Sequence, residues 1–299
     1  MTIGSVSSGP SILVLGSLNV DRTLRVPRIP VPGETLTATA TYITLGGKGA
    51  NQAVAATRAG GQVSLVGCVG DDEAGNDYLA HLTREGIDRQ AVRVDPVEPT
   101  GSASIQVDDA GENTIVVHPG ANHTLTPEHH DEHTALFEQA DVLLLQLECP
   151  LSTVARAIEL ARSAGTPVIL NPSPWQPDAA ALEADVWIVN ESEDAQLPDK
   201  PDAIRIITRG AAPTIVRAPG QSEFTVSPPS VDPVDTVGAG DTFAGAFAVA
   251  WAEGRPLAEA VRFANIAGAL ATLQAGAQSA MPRRTEIESH PDFPSPESS

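Results

Sequence analysis

Six short apolar runs separated by helix-like segments constrain the fold more than any other feature of this sequence. The runs are SILVLGSL, QVSLVGCVG, DVLLLQL, TPVILN, DVWIVN and AIRIIT. Uninterrupted apolar runs of this length are typical of strands that are buried on both faces. The segments between or after them, such as LSTVARAIELARSAG, have helical spacing and end at glycine. The alternation predicts an α/β fold, in which a mostly parallel sheet has helices on both faces.

Two segments break this alternation. TLRVPRIPVPGETLTATATYITL and SASIQVDDAGENTIVVHPG alternate apolar with polar residues and contain turn residues, which is typical of half-exposed antiparallel strands. We expect them to form one small sheet that projects from the main body. The predicted organisation is therefore a main domain, a projecting sheet and a polar, proline-rich tail that frays; these comprise residues 1–22 with 46–97 and 121–284, residues 23–45 with 98–120, and residues 285–299.

Composition and charge exclude several classes of function. The 299 residues include 18 basic and 38 acidic side chains, for a net charge of −20, and such a field repels nucleic acid and anionic lipid. No apolar run approaches the roughly 20 residues of a membrane span, and the first residues do not resemble a secretion signal. Cys68 and Cys149 lie in apolar runs, so we expect buried free thiols and a cytoplasmic protein.

Polar residues follow several of the predicted strands directly. In open parallel sheets, ligands bind beyond the carboxyl ends of the strands, so these side chains are expected to converge on one crevice. Taken singly, each of them could equally be a turn or capping residue. Their recurrence at the same structural place favours a binding site, and the residues concerned are Asn19, Asp21, Glu148, Asn171, Asn190 and Glu193.

The segment VDTVGAGDTFAGAF predicts a helix that begins at Gly238, Ala239 and Gly240, with Asp241 in its first turn. Unpaired N–H groups and the helix dipole favour an anion there, and glycine allows a ligand to approach the backbone closely. This pocket would let a strongly acidic protein hold phosphate. The dipole should keep Asp241 ionised, and an ionised carboxylate there could accept a proton from an attacking hydroxyl. The alternative is an ordinary helix terminus with a capping acid.

A second glycine-rich segment, GGKGANQAVAA, surrounds Lys48, which is one of only two lysines in the chain. Close-approaching backbone with polar donors suits a hydroxyl-rich small molecule, and the alternative is a structural glycine turn. The segment is not a phosphate-binding loop of the G-x-x-x-x-G-K-[ST] type. Because GSLNVD replaces G-x-G-x-x-G after the first strand, a dinucleotide dehydrogenase is supported only at the level of fold.

Seven motifs, in order, resemble the ribokinase-like carbohydrate kinase family: GSLNVD, PGET, GGKGANQAVAA, LLQLECP, LNPSP, VNESE and VDTVGAGDTFAGAF. The resemblance extends from about Ser11 to Pro282. It implies a three-layer α/β sandwich with a small antiparallel β lid that closes over the sugar and often mediates dimers, so a homodimer through the lid is expected. It also implies transfer of the γ-phosphoryl group of ATP to a sugar hydroxyl, and the full GGKGAN with Asn19 and Asp21 favours the 5-hydroxyl of D-ribose.

The resemblance also implies roles for individual residues. Asp241 would be the catalytic base, and Gly238, Ala239 and Gly240 would form the anion hole. With Asp241, the sugar would be held by Asn19, Asp21, Gly47, Lys48, Gly49, Ala50, Asn51 and Glu148. The nucleotide would contact Asn190, Thr208, Arg209, Gly210, Ala211, Ala212, Pro213, Gly240 and Asn265.

Two cations are implied by the same resemblance. Glu193, in the N-x-x-E motif, would organise Mg²⁺ through water. A monovalent cation, K⁺, would bind beside the anion hole, largely through backbone carbonyls, at Asp235, Val237, Ala271, Gln274, Gly276 and Ala280. Hard cations prefer such oxygen ligands. Ala280 stands where family members have a serine ligand, with Ser279 adjacent.

Two further departures from the family pattern leave an alternative open. Pro213 replaces a glycine of the nucleotide-binding loop and lacks an N–H donor, and the segment after Glu193 is short enough to lack a peripheral helix. A non-catalytic sugar or nucleotide sensor derived from a kinase is therefore a second hypothesis. Within the kinase hypothesis, fructose, deoxyribose, nucleosides and keto-deoxy sugar acids are alternative substrates.

The segment EHHDEH has His129 and His133 at positions i and i+4. This spacing on a helix could supply a zinc pair. Because the H-E-x-x-H order and an obvious third ligand are absent, we interpret the segment as a solvated polar face.

Overall fold

The computed structural model describes residues 9–293, and its main body is built on a nine-stranded sheet. Strand pairing is parallel from β5 to β11 and antiparallel at β11–β12 and β12–β13. In spatial order the strands are β13 (Phe224–Val226), β12 (Ala212–Arg217), β11 (Ile204–Arg209), β10 (Val186–Asn190), β9 (Val168–Leu170), β8 (Val142–Leu145), β1 (Ser11–Leu15), β4 (Gln62–Gly70) and β5 (Val92–Asp95). All six apolar runs are strands of this sheet, which confirms the predicted α/β fold.

Helices cover both faces of the sheet, because the apolar runs place hydrophobic side chains on both faces. Alternate residues of β1 point to opposite faces, so that Ile12 and Val14 join one hydrophobic core and Leu13 and Leu15 the other. Helices α1, α2, α7 and α8 contribute to the first core, and α4 and α5 contribute to the second. Within residues 9–293 the α-helices are α1 (Lys48–Arg58), α2 (Glu73–Glu85), α3 (Pro127–Asp131), α4 (Thr134–Gln139), α5 (Leu151–Ala164), α6 (Glu191–Asp194), α7 (Ala239–Ala252), α8 (Leu257–Ala271) and α9 (Arg284–Glu288).

None of the helices in that range combines the length and the apolar content that crossing a membrane requires. The most apolar of them, α7, is instead an internal helix of the first core. Its aromatic residues repeat every four positions and stack on one another, with ring centroids 6.4 Å apart for Phe243 and Phe247 and 6.3 Å apart for Phe247 and Trp251.

The smaller sheet has four strands in the order β3 (Ala40–Gly46), β2 (Asn19–Arg25), β6 (Gly101–Val107) and β7 (Asn113–His118). Its outer pairs are antiparallel, as predicted, whereas the central pair β2–β6 is parallel because both strands run outward from the main body. Strand β2 begins at Asn19, before the predicted boundary at residue 23. Asn19 and Asp21 therefore lie on the projecting sheet and not on a loop of the main domain.

The C-terminal segment also differs from the sequence prediction. Residues 284–288 form α9, inside the segment that was expected to fray from residue 285 onward. Ile287 is buried in the first core, and the ring of Phe293 lies 6.0 Å from that of Phe263. These two apolar side chains anchor a segment that is otherwise polar. Residues 294–299 of the predicted tail lie outside the described residues.

The short segment after Glu193 leaves the sheet covered. Leu197 packs into the second core, and the ammonium group of Lys200 lies 5.3 Å from the ring centroid of the buried Trp187. Lys200 also donates hydrogen bonds to the carbonyls of Ala180 and Leu182, at 2.8 and 3.0 Å. Leu197 and Lys200 thus cover part of the sheet surface that a peripheral helix would otherwise cover.

Helices α1 and α7 approach each other very closely at Gly245. A Cβ atom on Gly245 would lie 2.7 Å from the Cβ of Ala55 and 2.8 Å from the backbone nitrogen of Ala56. Only glycine allows this approach, which brings the first turns of α1 and α7 together.

We predict that Gly245→Ala destabilises the protein by about 1–3 kcal/mol, because the added methyl group overpacks the α1–α7 contact. Because alanine is a better helix former than glycine by about 1 kcal/mol, its higher helix propensity offsets part of this destabilisation. Urea denaturation of wild type, Gly245→Ala and the exposed helical control Ser163→Ala measures the difference. A free energy of unfolding for Gly245→Ala equal to or above that of wild type would refute the close contact.

Candidate active site

The site begins at the mouth of α7. Gly238 is the N-cap, and its φ of 77° is a left-handed conformation that favours glycine. The N–H groups of Gly240 and Asp241 find no acceptor among residues 9–293, as expected of the first turn of a helix. The side chain of Asp241 is buried, at 7% exposure. A helix terminus with free donors and a buried carboxylate therefore face the same space.

Two side-chain amides of α1 hold the Asp241 carboxylate. Asn51 Nδ2 donates to Asp241 Oδ2 at 2.9 Å, and Gln52 Nε2 donates to Oδ1 at 3.1 Å. Gln52 in turn accepts from Gln146 Nε2 at 2.6 Å and donates to Asn171 Oδ1 at 3.2 Å. The orientation of the carboxylate is thus fixed by a buried polar network rather than by its own helix alone.

The first turn of α1 packs directly against the loop between β1 and β2. Gly47 has φ 85°, and a Cβ there would lie 2.7 Å from the backbone nitrogen of Asn19. Ala50 N donates to Ser17 O at 3.0 Å, and a Cβ on Gly49 would lie 2.5 Å from Ser17 N. The glycines of GGKGAN therefore allow two backbone segments to touch, which the sequence analysis left open as the structural alternative.

Glu148 caps α1 and contributes to a cluster of charges. Its Oε2 accepts from the backbone N–H of Lys48 at 2.9 Å and from the hydroxyl of Ser17. The pKa of Lys48 is raised, first by Asp241 and further by Glu148 and Glu193, although burial acts to lower it. The ammonium group of Lys48 therefore lies in the field of three carboxylates that come from different strands and helices.

The projecting sheet supplies two more polar side chains. Asn19 Oδ1 accepts from Asn122 Nδ2 at 2.8 Å, and the Nδ2 group of Asn19 donates to no acceptor within residues 9–293, so it remains available as a donor. Burial, followed by the charges of Glu148 and Asp241, raises the pKa of Asp21 to about 7. A Cβ on Gly46 would occupy the position of the Asp21 carboxylate, so this glycine makes room for it.

The ends of β10 and β11 form the neighbouring part of the crevice, where Asn190 pairs with Thr208 in register. Asn190 Oδ1 accepts from Glu193 N and Glu193 Oε2 accepts from Asn190 N, both at 2.9 Å. This capping box holds the Glu193 carboxylate buried, at 6% exposure, with Oε1 free of any hydrogen bond within residues 9–293.

Three features of the expected nucleotide region take a different form. Residues 208–213 are a tight hairpin rather than a loop, with Gly210 at φ 59° in the turn and Pro213 inside β12. Arg209 pairs with Glu191 at 2.9 Å. The amide of Asn265 accepts from Thr214 Oγ1 at 2.8 Å and donates to Val226 O at 3.0 Å, so these atoms link α8 to β12 and β13.

The loop expected to hold a monovalent cation lies against the anion hole. Asp235 Oδ2 accepts from Gly276 N at 2.9 Å and Oδ1 from Val237 N at 3.0 Å, while a Cβ on Gly238 would lie 2.9 Å from that of Ala277. Ser279 donates to Ala275 O at 3.2 Å. Several backbone carbonyls here accept no hydrogen bond from the described part of the chain, namely those of Asp235, Val237, Ala271, Gln274 and Gly276.

A buried glutamine connects this loop to Asp241. Gln278 Nε2 donates to Asn51 Oδ1 and to the hydroxyl of Tyr78, both at 3.0 Å. Because Asn51 donates in turn to Asp241, the cation loop and the carboxylate share one hydrogen-bonded chain. His81 Nε2 contacts Gln278 Oε1 at 2.8 Å.

The structure thus brings together Asn19, Asp21, Lys48, Asn51, Glu148 and Asp241, with Glu193 close enough to act on Lys48. Sequence reasoning missed the residues that position them, namely Ser17, Gln52, Asn122, Gln146 and Gln278. Gln52 directly follows Asn51 in a motif already identified, and could have been found there. Ser17 and Gln146 likewise lie in the quoted motifs GSLNVD and LLQLECP. Asn122 and Gln278 lie outside every quoted motif and act across 103 and 227 residues.

Comparisons with known proteins agree with this arrangement. The family model described as pfkB family carbohydrate kinase matches residues 10–284. The chain is 38% identical to ribokinase from Haemophilus influenzae, over 92% of this chain and 96% of that protein, and 34% identical to deoxyribokinase from Salmonella typhi, over 91% and 95%. Arabidopsis thaliana ribokinase complexed with ribose and ATP superposes with a TM-score of 0.84 at 29% identity, covering 94% of this chain and 97% of that one.

The raised pKa of Asp21 gives a prediction about stability. In the folded protein this carboxyl retains its proton up to about pH 7, whereas in the unfolded chain it releases the proton near pH 4. Its contribution to the free energy of unfolding therefore falls as pH rises from about 4 to 7. We predict that Asp21→Asn raises the melting temperature at pH 8 by more than it does at pH 5.

Calorimetry of wild type, Asp21→Asn and the exposed control Asp77→Asn at both pH values tests this effect. Asp77→Asn should show no comparable dependence on pH. An Asp21→Asn protein that is stabilised equally at pH 5 and pH 8, or not at all, would contradict the electrostatic cost assigned to Asp21.

Proposed function

The chain belongs to the pfkB family of carbohydrate kinases, and from that premise we propose that it transfers the γ-phosphoryl group of ATP to the 5-hydroxyl of D-ribose. It is a phosphotransferase that acts on a carbohydrate. The observation that carries the specific proposal is the buried Asp241 carboxylate, held by Asn51 and Gln52 at the mouth of α7.

Asp241 is the proposed general base. A base must lie within hydrogen-bond reach of the proton that it accepts and must face the attacking oxygen. Asn51 and Gln52 each bind one carboxylate oxygen, which fixes the plane of the carboxylate and leaves its remaining lone pairs available to a sugar hydroxyl. The oxygen of that hydroxyl then attacks the γ-phosphorus while its proton passes to Asp241, and the bond from the γ-phosphorus to the β–γ bridging oxygen breaks, so that ADP leaves with that oxygen.

The first turn of α7 is the proposed anion hole. Negative charge on the transferring phosphoryl group is stabilised by donors that are already oriented before the reaction. Of the three residues proposed for the anion hole, Gly238 and Gly240 have N–H groups that find no acceptor among residues 9–293, whereas the N–H of Ala239 donates to Thr236 O at 3.3 Å. The free N–H groups and the helix dipole supply donors without adding a basic side chain. Lys48, in the field of Asp241 and Glu193, is the one lysine positioned to balance charge between sugar and phosphate.

The sugar site is proposed on the projecting sheet and the first turn of α1. The donor left free on Asn19 and the carboxylates of Asp21 and Glu148 match the hydroxyls of a pentose, which both donate and accept hydrogen bonds. Gly47, Gly49 and Ala50 are buried against the loop between β1 and β2, so their proposed contribution to the sugar site is to position the first turn of α1. ATP is proposed to lie along the ends of β10 and β11, past Asn190, Thr208 and the hairpin at residues 209–213.

Two cations are proposed to assist. Magnesium would be held through water by Glu193, a buried residue whose Oε1 has no hydrogen bond within residues 9–293, and it would supply charge neutralisation at the phosphates. Potassium would be held by backbone carbonyls that accept no hydrogen bond from residues 9–293, namely those of Asp235, Val237, Ala271, Gln274 and Gly276. The resemblance to the family adds Ala280 to this set. The backbone N–H of Gly276 donates a hydrogen bond to the Asp235 carboxylate, which precedes the anion hole in the chain. The potassium ion would therefore act indirectly, by fixing the loop that forms the anion hole.

A coupled assay of ADP release over a panel of pentoses and hexoses tests the function, run with Mg²⁺ and with or without K⁺. We expect the highest kcat/KM with D-ribose, and deoxyribose is the informative competitor because a deoxyribokinase is among the similar proteins. Asp241→Asn should lower kcat by about 10²–10⁴-fold while ribose binding, measured by calorimetry, is largely retained. Absence of turnover with every sugar would refute the proposal, and an active Asp241→Asn would refute the assignment of the base.

A second copy of the chain is the proposed partner, docked through the projecting sheet. The strand register places Tyr42, Ile115 and Val117 on the same face as Asp21, and Ile43 and Val116 on the opposite face. All five apolar residues are more than half exposed. A single-layer sheet with apolar residues exposed on both faces is typical of an interaction surface.

Light scattering should find a dimer for the wild type and mostly monomer for Ile115→Asp or Val116→Asp, whichever face the second copy buries. Val97 is 83% exposed and lies outside the sheet, so Val97→Asp is the matched control and should stay dimeric. A wild-type monomer, or a dimer that survives both charged substitutions, would exclude this interface.

A further inference from the structure

The turn between α3 and α4 brings three metal-ligating side chains together, away from the kinase site. Each of these side chains offers one donor atom, and the three atoms lie within 4.8 Å of one another; the residues are His129, Glu132 and His133. These residues lie next to α5, which packs on the second core, whereas Asp241 is on α7 in the layer that covers the other face of the sheet. Phosphoryl transfer, as derived above, uses none of the three.

The local backbone explains a cluster that spacing alone did not reveal. The sequence analysis considered His129 and His133 as an i, i+4 pair on one helix, without a third ligand. In the structure α3 ends at Asp131, Glu132 is its C-cap, and His133 is the N-cap of α4. The turn brings the two imidazole rings to a centroid separation of 4.9 Å and places Glu132 beside both.

A backbone hydrogen bond sets the tautomer of one of the two histidines. His129 Nε2 lies 3.0 Å from the carbonyl oxygen of Ala91, and only a protonated Nε2 can donate to that oxygen. In the neutral ring Nδ1 then carries the free lone pair. Metal-binding histidines usually donate their other N–H to a backbone carbonyl or a carboxylate in this manner, which fixes the tautomer and the ring orientation.

The other two ligands are free to adjust. The side chains of Glu132 and His133 make no hydrogen bond to any residue between 9 and 293, and Glu132 is exposed. Tetrahedral coordination at about 2.0–2.2 Å places donor atoms about 3.4 Å apart, so side-chain rotation suffices to close the cluster. Asp131 is occupied by Arg156 at 2.7 Å, which leaves Glu132 as the carboxylate ligand.

We propose that His129 Nδ1, Glu132 and His133 bind a divalent transition-metal ion of the zinc class, with water completing the coordination. Two imidazoles and one carboxylate suit Zn²⁺, whereas Mg²⁺ prefers oxygen ligands. Through the bond from His129 to Ala91, the ion would join the α3–α4 turn to the segment that enters β5. The expected consequence is greater stability of the protein with Zn²⁺ bound, independent of the kinase reaction.

Titration of tag-free protein with Zn²⁺ in excess Mg²⁺, followed by calorimetry and by thermal melting, tests this site. The excess Mg²⁺ occupies the oxygen-rich kinase site. We expect one equivalent of Zn²⁺ to bind the wild type and to raise its melting temperature. His133→Ala and Glu132→Gln should weaken binding by about tenfold or more and abolish that rise, with sugar-kinase activity unchanged in Mg²⁺.

Two controls locate the binding. His123→Ala removes an exposed histidine that lies outside the cluster, and Glu193→Gln alters the proposed magnesium ligand; both should titrate like the wild type. Cobalt provides a second readout, since Co²⁺ in a tetrahedral site with nitrogen ligands absorbs visible light. If the wild type binds no Zn²⁺, or if His133→Ala and Glu132→Gln titrate as the wild type does, the site does not exist.

Discussion

The contact between α1 and α7 is the constraint on which the site depends. Gly245 removes the side chain that would separate the two helices, and as a result Asn51 and Gln52 of α1 reach the carboxylate of Asp241 on α7. Both helices begin at a glycine with positive φ, Gly47 and Gly238. Two helix N-termini therefore open into one crevice, one capped by Glu148 and the other left with free N–H groups. This difference in capping distinguishes the proposed sugar site at α1 from the proposed phosphate site at α7.

The distribution of charge explains how a chain with a net charge of −20 can serve an anionic substrate. In the proposed site, backbone N–H groups at α7 attract phosphate without a basic side chain, and Lys48 is the only lysine within residues 9–293 that lies among the carboxylates of the crevice. This arrangement destabilises the ionised form of Asp21, whose pKa rises to about 7 because burial and two neighbouring carboxylates disfavour its charge. The ionised form of Asp21 is therefore unfavourable in the unliganded site, and a sugar bound as proposed would relieve part of that cost by donating hydrogen bonds to Asp21 and Glu148.

Sequence patterns predicted those parts of the molecule that depend on local periodicity. The apolar runs identified the parallel strands, and the glycine-rich motifs identified both helix mouths. The partners of Asn19 and Asn51 were beyond such reasoning, because Asn122 and Gln278 reach them across 103 and 227 residues. Ile287 and Phe293 were read as part of a polar tail because two apolar residues show no period, although tertiary packing anchors both. Asn265 matched a nucleotide-binding position by resemblance, whereas its amide bonds to Thr214 and Val226, which only coordinates can show.

The first residues of β2 belong both to the projecting sheet and to the proposed active site. Asn19 and Asp21 are residues of that sheet, yet Asn19 is held to the main body through Asn122, which also accepts from Leu18 N at 2.9 Å. Any displacement of the sheet relative to the main body would therefore move the Asp21 carboxylate relative to Glu148 and Asp241. Because the mutual repulsion of these carboxylates depends on their separation, moving Asp21 changes its own pKa and its ability to accept a hydrogen bond. The proposed sugar binding and the position of the sheet are thus linked by geometry, since β2 carries two of the proposed sugar-binding residues and belongs to the sheet.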